Sequence, residues 1–358
     1  HTTVAFGLVS GVCLTILGMF LAPKILILMG TPDEVLPESI LYFRTYFAGS
    51  IGVVMYNIFV GILQSVGDGR HPLIYLIISS CINVVLDIFF IAGLDMGVGS
   101  AAFATAISQF VSAILCMIHL MRVKAEYRLE IRKIRFDRNM LKQIIQNGVP
   151  SGFQNSVISI ANVFVQSNIN AFGKLAMAGC GSYSKIEGFA FLPVTCFMMA
   201  LTTFVSQNLG AKQYDRAKKG ARFGVLCSVL IAEVIGVIIY TTAPTLISAF
   251  NRDLGVVHYG VMQARTISLF YCLLAFSHCI AAVLRGSGHA SVPMFVMLCD
   301  WCLFRVSYIT VAVRLIPDIR VIFWAYPLTW GISSVIFLYM FLRGKWVYGF
   351  EKVNTKNN

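Results

Sequence analysis

Asn83 and Asp87 stand four residues apart inside an apolar run, Leu73–Ala92, where hydropathy alone would place neither. Positions i and i+4 share one face of an α-helix, so the amide and the carboxylate point the same way. A charged side chain at the centre of a membrane helix costs about 2.5–3.5 kcal/mol even on the mildest insertion scale, so its presence usually marks a function. The stretch Gly93-Leu94-Asp95-Met96-Gly97-Val98-Gly99 reads as a tight turn, with residues 87 and 105 equally far from Met96. A hairpin about that turn sets Thr105 at the depth of Asp87. Small residues around Thr105 (Ser100, Ala101, Ala102, Ala104, Ala106) let the two helices approach closely. Oxygens of Asp87, Asn83 and Thr105 can then hold a hard cation such as sodium, or Asp87 can carry a proton. The alternative is a structural lock, with Asp87 merely bonded to its neighbours.

A weak internal repeat widens the set of candidates. Gly61–Pro72 reappears, degenerated, as Ala282–Pro293, an offset of 221 residues that also relates Leu63 to Leu284, Gly67 to Gly288 and Pro23 to Pro244. Two hydrophobic halves with such symmetry are common among secondary transporters. The shift carries Asn83, Asp87 and Thr105 to Phe304, Tyr308 and Tyr326, so the polar set is not demanded by the fold alone. Asn57 maps to His278, an intramembrane ionisable residue for which a proton-linked role and a packed core role both stay open. Gln154, Asn155, Asn162, Gln166, Asn168 and Asn170 follow Pro150 along one apolar segment. Amides in that pattern suit either a polar cavity wall or interhelical hydrogen bonds. Gln154, Asn155, Gln166, Glu187 and His278 are the candidate substrate contacts, and Asn57 joins the ion-coupling candidates. Asp300 and Arg305 are five apart, off one α-helical face, so each is expected to pair with other helices. Gly67-Asp68-Gly69-Arg70-His71-Pro72 reads as turn chemistry or as a hinge. Cys299 and Cys302 form a CxxC without companion ligands, better explained as small helix residues than as a metal or redox motif.

These residues need membrane helices to hold them. With 58% hydrophobic and 12% charged residues, and a mean hydropathy of +0.78, the chain is excluded from soluble globular domains, which carry about 25% charge. Ten segments are long and apolar enough to span a bilayer: 2–22, 41–66, 73–92, 99–121, 149–172, 184–208, 223–250, 262–284, 292–315 and 321–342. The expected architecture is an all-α integral membrane protein of two pseudo-symmetric helical bundles. It comprises a first lobe at 1–121, a cytoplasmic linker at 122–147, a second lobe at 148–343 and a cytoplasmic tail at 344–358. Residues 147–221 have no counterpart under the shift, so the chain is read as ten helices of an expected twelve. The net charge of +12 concentrates in 122–142, 212–222 and the tail, which places those segments and both termini in the cytoplasm. Basic residues in short loops between spans are not a nucleic-acid face. No intramembrane enzyme motif is present, no cofactor beyond a coupling ion is expected, and the chain is expected to be monomeric.

The motifs resemble one family. Gly67-Asp68 with Pro72, then Asn83 and Asp87, then Gly97-Val98-Gly99-Ser100-Ala101-Ala102-Phe103-Ala104-Thr105 look like the multidrug and toxic compound extrusion (MATE) transporters. Ser206-Gln207-Asn208-Leu209-Gly210-Ala211-Lys212 with Arg216-Ala217 is similar to that family's motif closing the eighth helix. The resemblance implies a V-shaped pair of six-helix lobes in a bacterial cytoplasmic membrane, exporting organic, often cationic, compounds in exchange for sodium ions or protons. It also implies that Asn83, Asp87 and Thr105 are ion ligands, together with a first-helix aspartate absent from this sequence. Ile158 stands where many members carry a glutamate, which points to the DinF-like branch and weakens a second-lobe sodium site. A lipid-linked oligosaccharide flippase of the same wider superfamily, and an intramembrane enzyme, are the competing readings.

Overall fold

The computed structural model describes residues 1–28, 33–343 and 345–348, and every regular element among them is helical. Of the tail expected at 344–358, residues 344 and 349–358 lie outside the described residues. The chain divides into two compact units, His1–Ile144 and Ile145–Asn358.

The first unit contains α1 (Thr2–Leu28), α2 (Leu36–Ala48), α3 (Ser50–Ser65), α4 (Arg70–Asp87) and α5 (Gly99–Arg122). A π-helical turn, Ile88–Gly93, continues α4. Helices α2 and α3 meet at Gly49 with a bend of 42° and together are long and apolar enough for one span. A Cβ on Gly49 would lie 2.5 Å from that of Ala106 on α5, so the bend sits where two backbones nearly touch. The basic connection after α5 is tied back to the helices of the first unit at several points. Leu129 is buried with its N–H donating to Leu120 O at 2.9 Å, and Thr2 Oγ1 bonds both Arg135 O and Asp137 N at 3.1 Å.

Helix α6 runs Arg138–Asn170, so it starts within the segment read as linker. Asp137 explains the start: its Oδ1 accepts from the backbone N–H groups of Asn139 and Met140 at 3.0 and 2.9 Å, a helix N-cap. The second unit continues with α7 (Lys174–Gly210), α8 (Tyr214–Ser248), α9 (Leu254–Ile267), α10 (Tyr271–Gly286), α11 (Ser291–Met297), α12 (Arg305–Leu315) and α13 (Arg320–Leu342). A 3₁₀ turn at Ser268–Phe270 joins α9 to α10, and a π-helical turn at Leu298–Phe304 joins α11 to α12. Among the described residues, eight helical rods are long and apolar enough to cross a bilayer, nine with the bent pair counted as one. The tenth expected span, 149–172, falls in α6, where Gln and Asn dilute the hydropathy. Large apolar side chains such as Phe20, Phe189, Phe223 and Val335 are about 70% exposed, as lipid-facing residues must be in a protein whose solvent is hydrocarbon.

The repeat is visible in the backbone. Proline interrupts α1 at Pro23 and α8 at Pro244. Gly67 and Gly288 close their helices with φ of +86° and +83°. In each turn the next residue's N–H reaches back five positions at 2.9 Å, Asp68 to Leu63 O and His289 to Leu284 O. This is the Schellman ending, which requires a left-handed residue and therefore favours glycine. A Cβ at Gly67 would meet no atom within 4 Å, so substitution there tests the backbone alone. Gly67→Ala should destabilise the protein by about 1–2 kcal/mol, and Gly67→Asn by less, because asparagine tolerates the left-handed region. Thermal unfolding of the detergent-solubilised protein checks both, and equal stability of Gly67→Ala and wild type would refute this role.

Candidate functional site

Helix α4 packs directly against α5, as the hairpin about Met96 requires. Asn83 and Asp87 are half-buried, and Asn83 Nδ2 and Asp87 Oδ1 are closed off from solvent without a hydrogen-bond partner. Buried polar groups are nearly always paired, so two orphans four residues apart on one helix face are a notable exception. Thr105 is half-buried, but its Oγ1 donates to Ala101 O at 2.9 Å on its own helix. The π-helical turn starting at Ile88 adds a residue to the path between Asp87 and the hairpin turn, which equal counting from Met96 does not include. Asn57 is exposed, and its Nδ2 donates to Val53 O at 2.8 Å, again within its own helix.

The second unit holds a buried polar group of its own. Arg305 is 1% exposed, and its Nη2 donates to Thr329 Oγ1 on α13 at 2.7 Å. Its guanidinium carbon lies 4.7 Å from the ring centre of Trp301 and 4.8 Å from that of Tyr326, an aromatic sandwich that favours a cation. The carboxylates of Asp300 and Glu187 act on its charge. The π-helical turn Leu298–Phe304 joins Asp300 and Arg305 through the backbone, with the Arg305 N–H donating to Asp300 O. Arg305 also engages other helices, through Thr329 and Tyr326 on α13 and Glu187 on α7.

Glu187 lines a small cavity with Ala190, Phe191, Val194, Ala232, Tyr271 and Leu274. Beside it the hydroxyls of Tyr183 and Tyr271 are hydrogen bonded at 2.8 Å. His278 is buried between the rings of Phe191 and Trp301, each centred 5.2 Å away edge to face. The charges of Arg285 and Arg305 reach its ring. Of the expected cavity amides, Gln154 is buried, with Nε2 donating to Met297 Sδ at 2.7 Å and Oε1 unpartnered. Asn155 is exposed, and Gln166 donates to Asn170 Oδ1 at 2.8 Å along α6. A groove of about 380 Å³ runs past Phe295, Val296, Cys299, Asp300, Phe304, Ile332 and Ile336. Both Asp300 carboxylate oxygens are buried there, beside Ser333 of α13. Sequence reasoning named Asp300 and Arg305 only as residues expected to pair with other helices and did not foresee the contacts of Arg305 with Trp301 and Tyr326.

Removing one partner of a buried charge cluster leaves the others uncompensated, at a cost of about 3–5 kcal/mol. Arg305→Met should therefore lower the thermal stability of the purified protein sharply. Combining it with Asp300→Asn and Glu187→Gln should restore much of the loss. Simple additivity across that cycle would show that the three charges do not act together.

The MatE family profile matches residues 1–89 and 150–310. The probable multidrug resistance protein YoeA of Bacillus subtilis is 26% identical over 304 residues, 83% of this chain and 66% of the relative. The probable multidrug resistance protein NorM of Thermotoga maritima is 26% identical over 353 residues, 96% of this chain and 75% of the relative. The chain thus spans about two-thirds to three-quarters of the length of these relatives. A crystal structure of MATE in the bent conformation superposes with a TM-score of 0.89 at 22% identity, covering 98% of this chain and 78% of that one, which establishes a shared fold. With eight to nine helices among the described residues long and apolar enough to cross a bilayer, two units related by an internal repeat, and a profile covering most of both, this chain belongs to the MatE family of multi-pass membrane proteins.

Proposed function

We propose that the protein is a secondary active antiporter that exports organic, often cationic, compounds across the bacterial cytoplasmic membrane in exchange for sodium ions or protons. The observation that carries this reading is the pair of closed-off, unpartnered atoms on α4, Asn83 Nδ2 and Asp87 Oδ1. A carboxylate kept inside a membrane helix without a protein partner is a place for a cation or a proton to arrive and leave. Ions and protons are the gradients available to a transporter, and an ion that binds one conformation better than another shifts the balance between them.

The second unit supports the substrate side of the reading. The groove lined by Phe295, Val296, Phe304, Ile332 and Ile336 is apolar, which suits the hydrophobic part of an organic compound. Glu187 and the Tyr183–Tyr271 hydroxyl pair add polar groups elsewhere in the same unit. The excess of basic residues in the connection at 122–147 supports a cytoplasmic placement of that segment. The NorM and YoeA relatives, named for multidrug resistance, are consistent with export of varied small molecules.

Asp87→Asn in the full-length protein should abolish ion-driven efflux while leaving membrane insertion intact. Removing the charge eases insertion by up to ~3 kcal/mol, so failed insertion cannot account for the loss. The measurement is efflux of a fluorescent cation from proteoliposomes under sodium and proton gradients imposed separately, with membrane abundance quantified alongside. Efflux in the variant at the wild-type rate under both gradients would overturn the proposal.

A further inference from the structure

We propose that Asp68, His71 and His119 form a binding site for a first-row divalent metal ion, zinc being the type case, at the end of the first unit where α5 enters the basic connection. One ligand atom from each of the three residues lies within 4.8 Å of the others. Asp68 Oδ2 is 2.7 Å from His71 Nδ1 and 3.5 Å from His119 Nε2, and the two imidazole centres are 4.1 Å apart. Tetrahedral zinc, with ligands at about 2.0–2.2 Å, needs its donor atoms about 3.3 Å from one another. The observed separations fall on either side of that value. His71 has the most freedom to open the shorter one, since its side chain is 44% exposed.

The surroundings hold the donors in the orientation a metal needs. Asp68 Oδ1 accepts the backbone N–H of His71 at 3.2 Å, which leaves Oδ2 turned toward the imidazoles. His119 Nδ1 is 3.2 Å from the Tyr75 hydroxyl, which leaves Nε2 for the ion. A metal-bound histidine usually has its other ring nitrogen fixed in this way. Asp68 and His119 are each 20% exposed, which gives shelter while leaving water access to complete the coordination.

The donor set separates this site from the one on α4. Two imidazoles and one carboxylate suit zinc, nickel or cobalt, whereas sodium, magnesium and calcium prefer oxygen alone. Turn chemistry does not require the cluster. The offset of 221 residues carries Asp68, His71 and His119 to His289, Val292 and Met340, and the second turn keeps the same glycine-closed backbone without it. A bound ion would staple the turn before α4 to the last turn of α5.

The test uses the full-length protein purified without a histidine tag and titrated with zinc chloride by calorimetry, with cobalt absorption as a second probe. One zinc per chain is expected, with cobalt showing the intense visible bands of tetrahedral coordination. Asp68→Asn, His71→Gln and His119→Gln should each weaken binding by about tenfold or more, and Tyr75→Phe by about tenfold through loss of the supporting hydrogen bond. His258→Gln, an exposed control on α9, should bind as wild type does. Zinc should raise the unfolding temperature of wild type and leave that of His119→Gln unchanged. If His119→Gln fails to fold, His71→Gln carries the same comparison from a half-exposed position. Absence of saturable zinc binding, or unaltered affinity in the ligand variants, would overturn the site.

Discussion

A polar group placed in hydrocarbon must find its partner within the protein, because water is not there to supply one. That constraint accounts for the helical backbone, and it also accounts for what happens where the helices break. At the 3₁₀ turn between α9 and α10, the exposed N–H of Cys272 is taken by Glu233 Oε2 from α8 at 3.2 Å. Hydroxyl side chains return their protons to their own helices, as Thr105 does, or bridge to a neighbour, as Thr202 does to Ala282 O at 3.2 Å. Asn83 and Asp87, four residues apart on α4, are among the residues whose buried polar atoms find no partner.

Close helix approach makes the strictness achievable. On α7 and α9, Gly179 and Gly260 interlock: a Cβ on Gly179 would lie 2.9 Å from Gly260 N, and one on Gly260 would lie 2.9 Å from Gly179 O. Association of helices in a membrane rests on such contacts, since lipid offers no hydrophobic drive between them. The same tight packing in the second unit leaves Arg305 nearly sealed, with its charge answered by Asp300, Glu187 and two aromatic faces. A guanidinium buried this deeply is tolerated only while its partners stay in place, so the helices that carry them are coupled to one another.

The two units share a backbone plan and differ in chemistry. Gly67 and Gly288 end their helices in the same left-handed turn. The position of Thr105 becomes Tyr326, one wall of the Arg305 sandwich, and the position of Asn57 becomes His278, wedged between Phe191 and Trp301. Asp300 corresponds to Ser79, whose hydroxyl is bonded within its own helix. A duplicated scaffold has thus kept its turns while its interior residues diverged, an exposed carboxamide in one unit giving way to a buried imidazole in the other.

The sequence alone determined the helices, because apolar runs of bilayer length and glycine- or proline-marked turns are local properties of the chain. It also determined that Asn83 and Asp87 share a face, since a four-residue spacing fixes that on any α-helix. It could not show that α6 begins at Arg138, because Asp137 looks like one more charge in a basic linker until its carboxylate is seen capping the helix. Tertiary structure decided the rest. The π-helical turn at 298–304 changes the helical period, and Arg305 finds Thr329 and Tyr326 on α13, which spacing along its own helix does not announce. Folding also brings His119 to Asp68 and Tyr75 from 44 or more residues away. Which side chains meet across such distances depends on the rotation and depth of packed helices, and hydropathy carries no record of either.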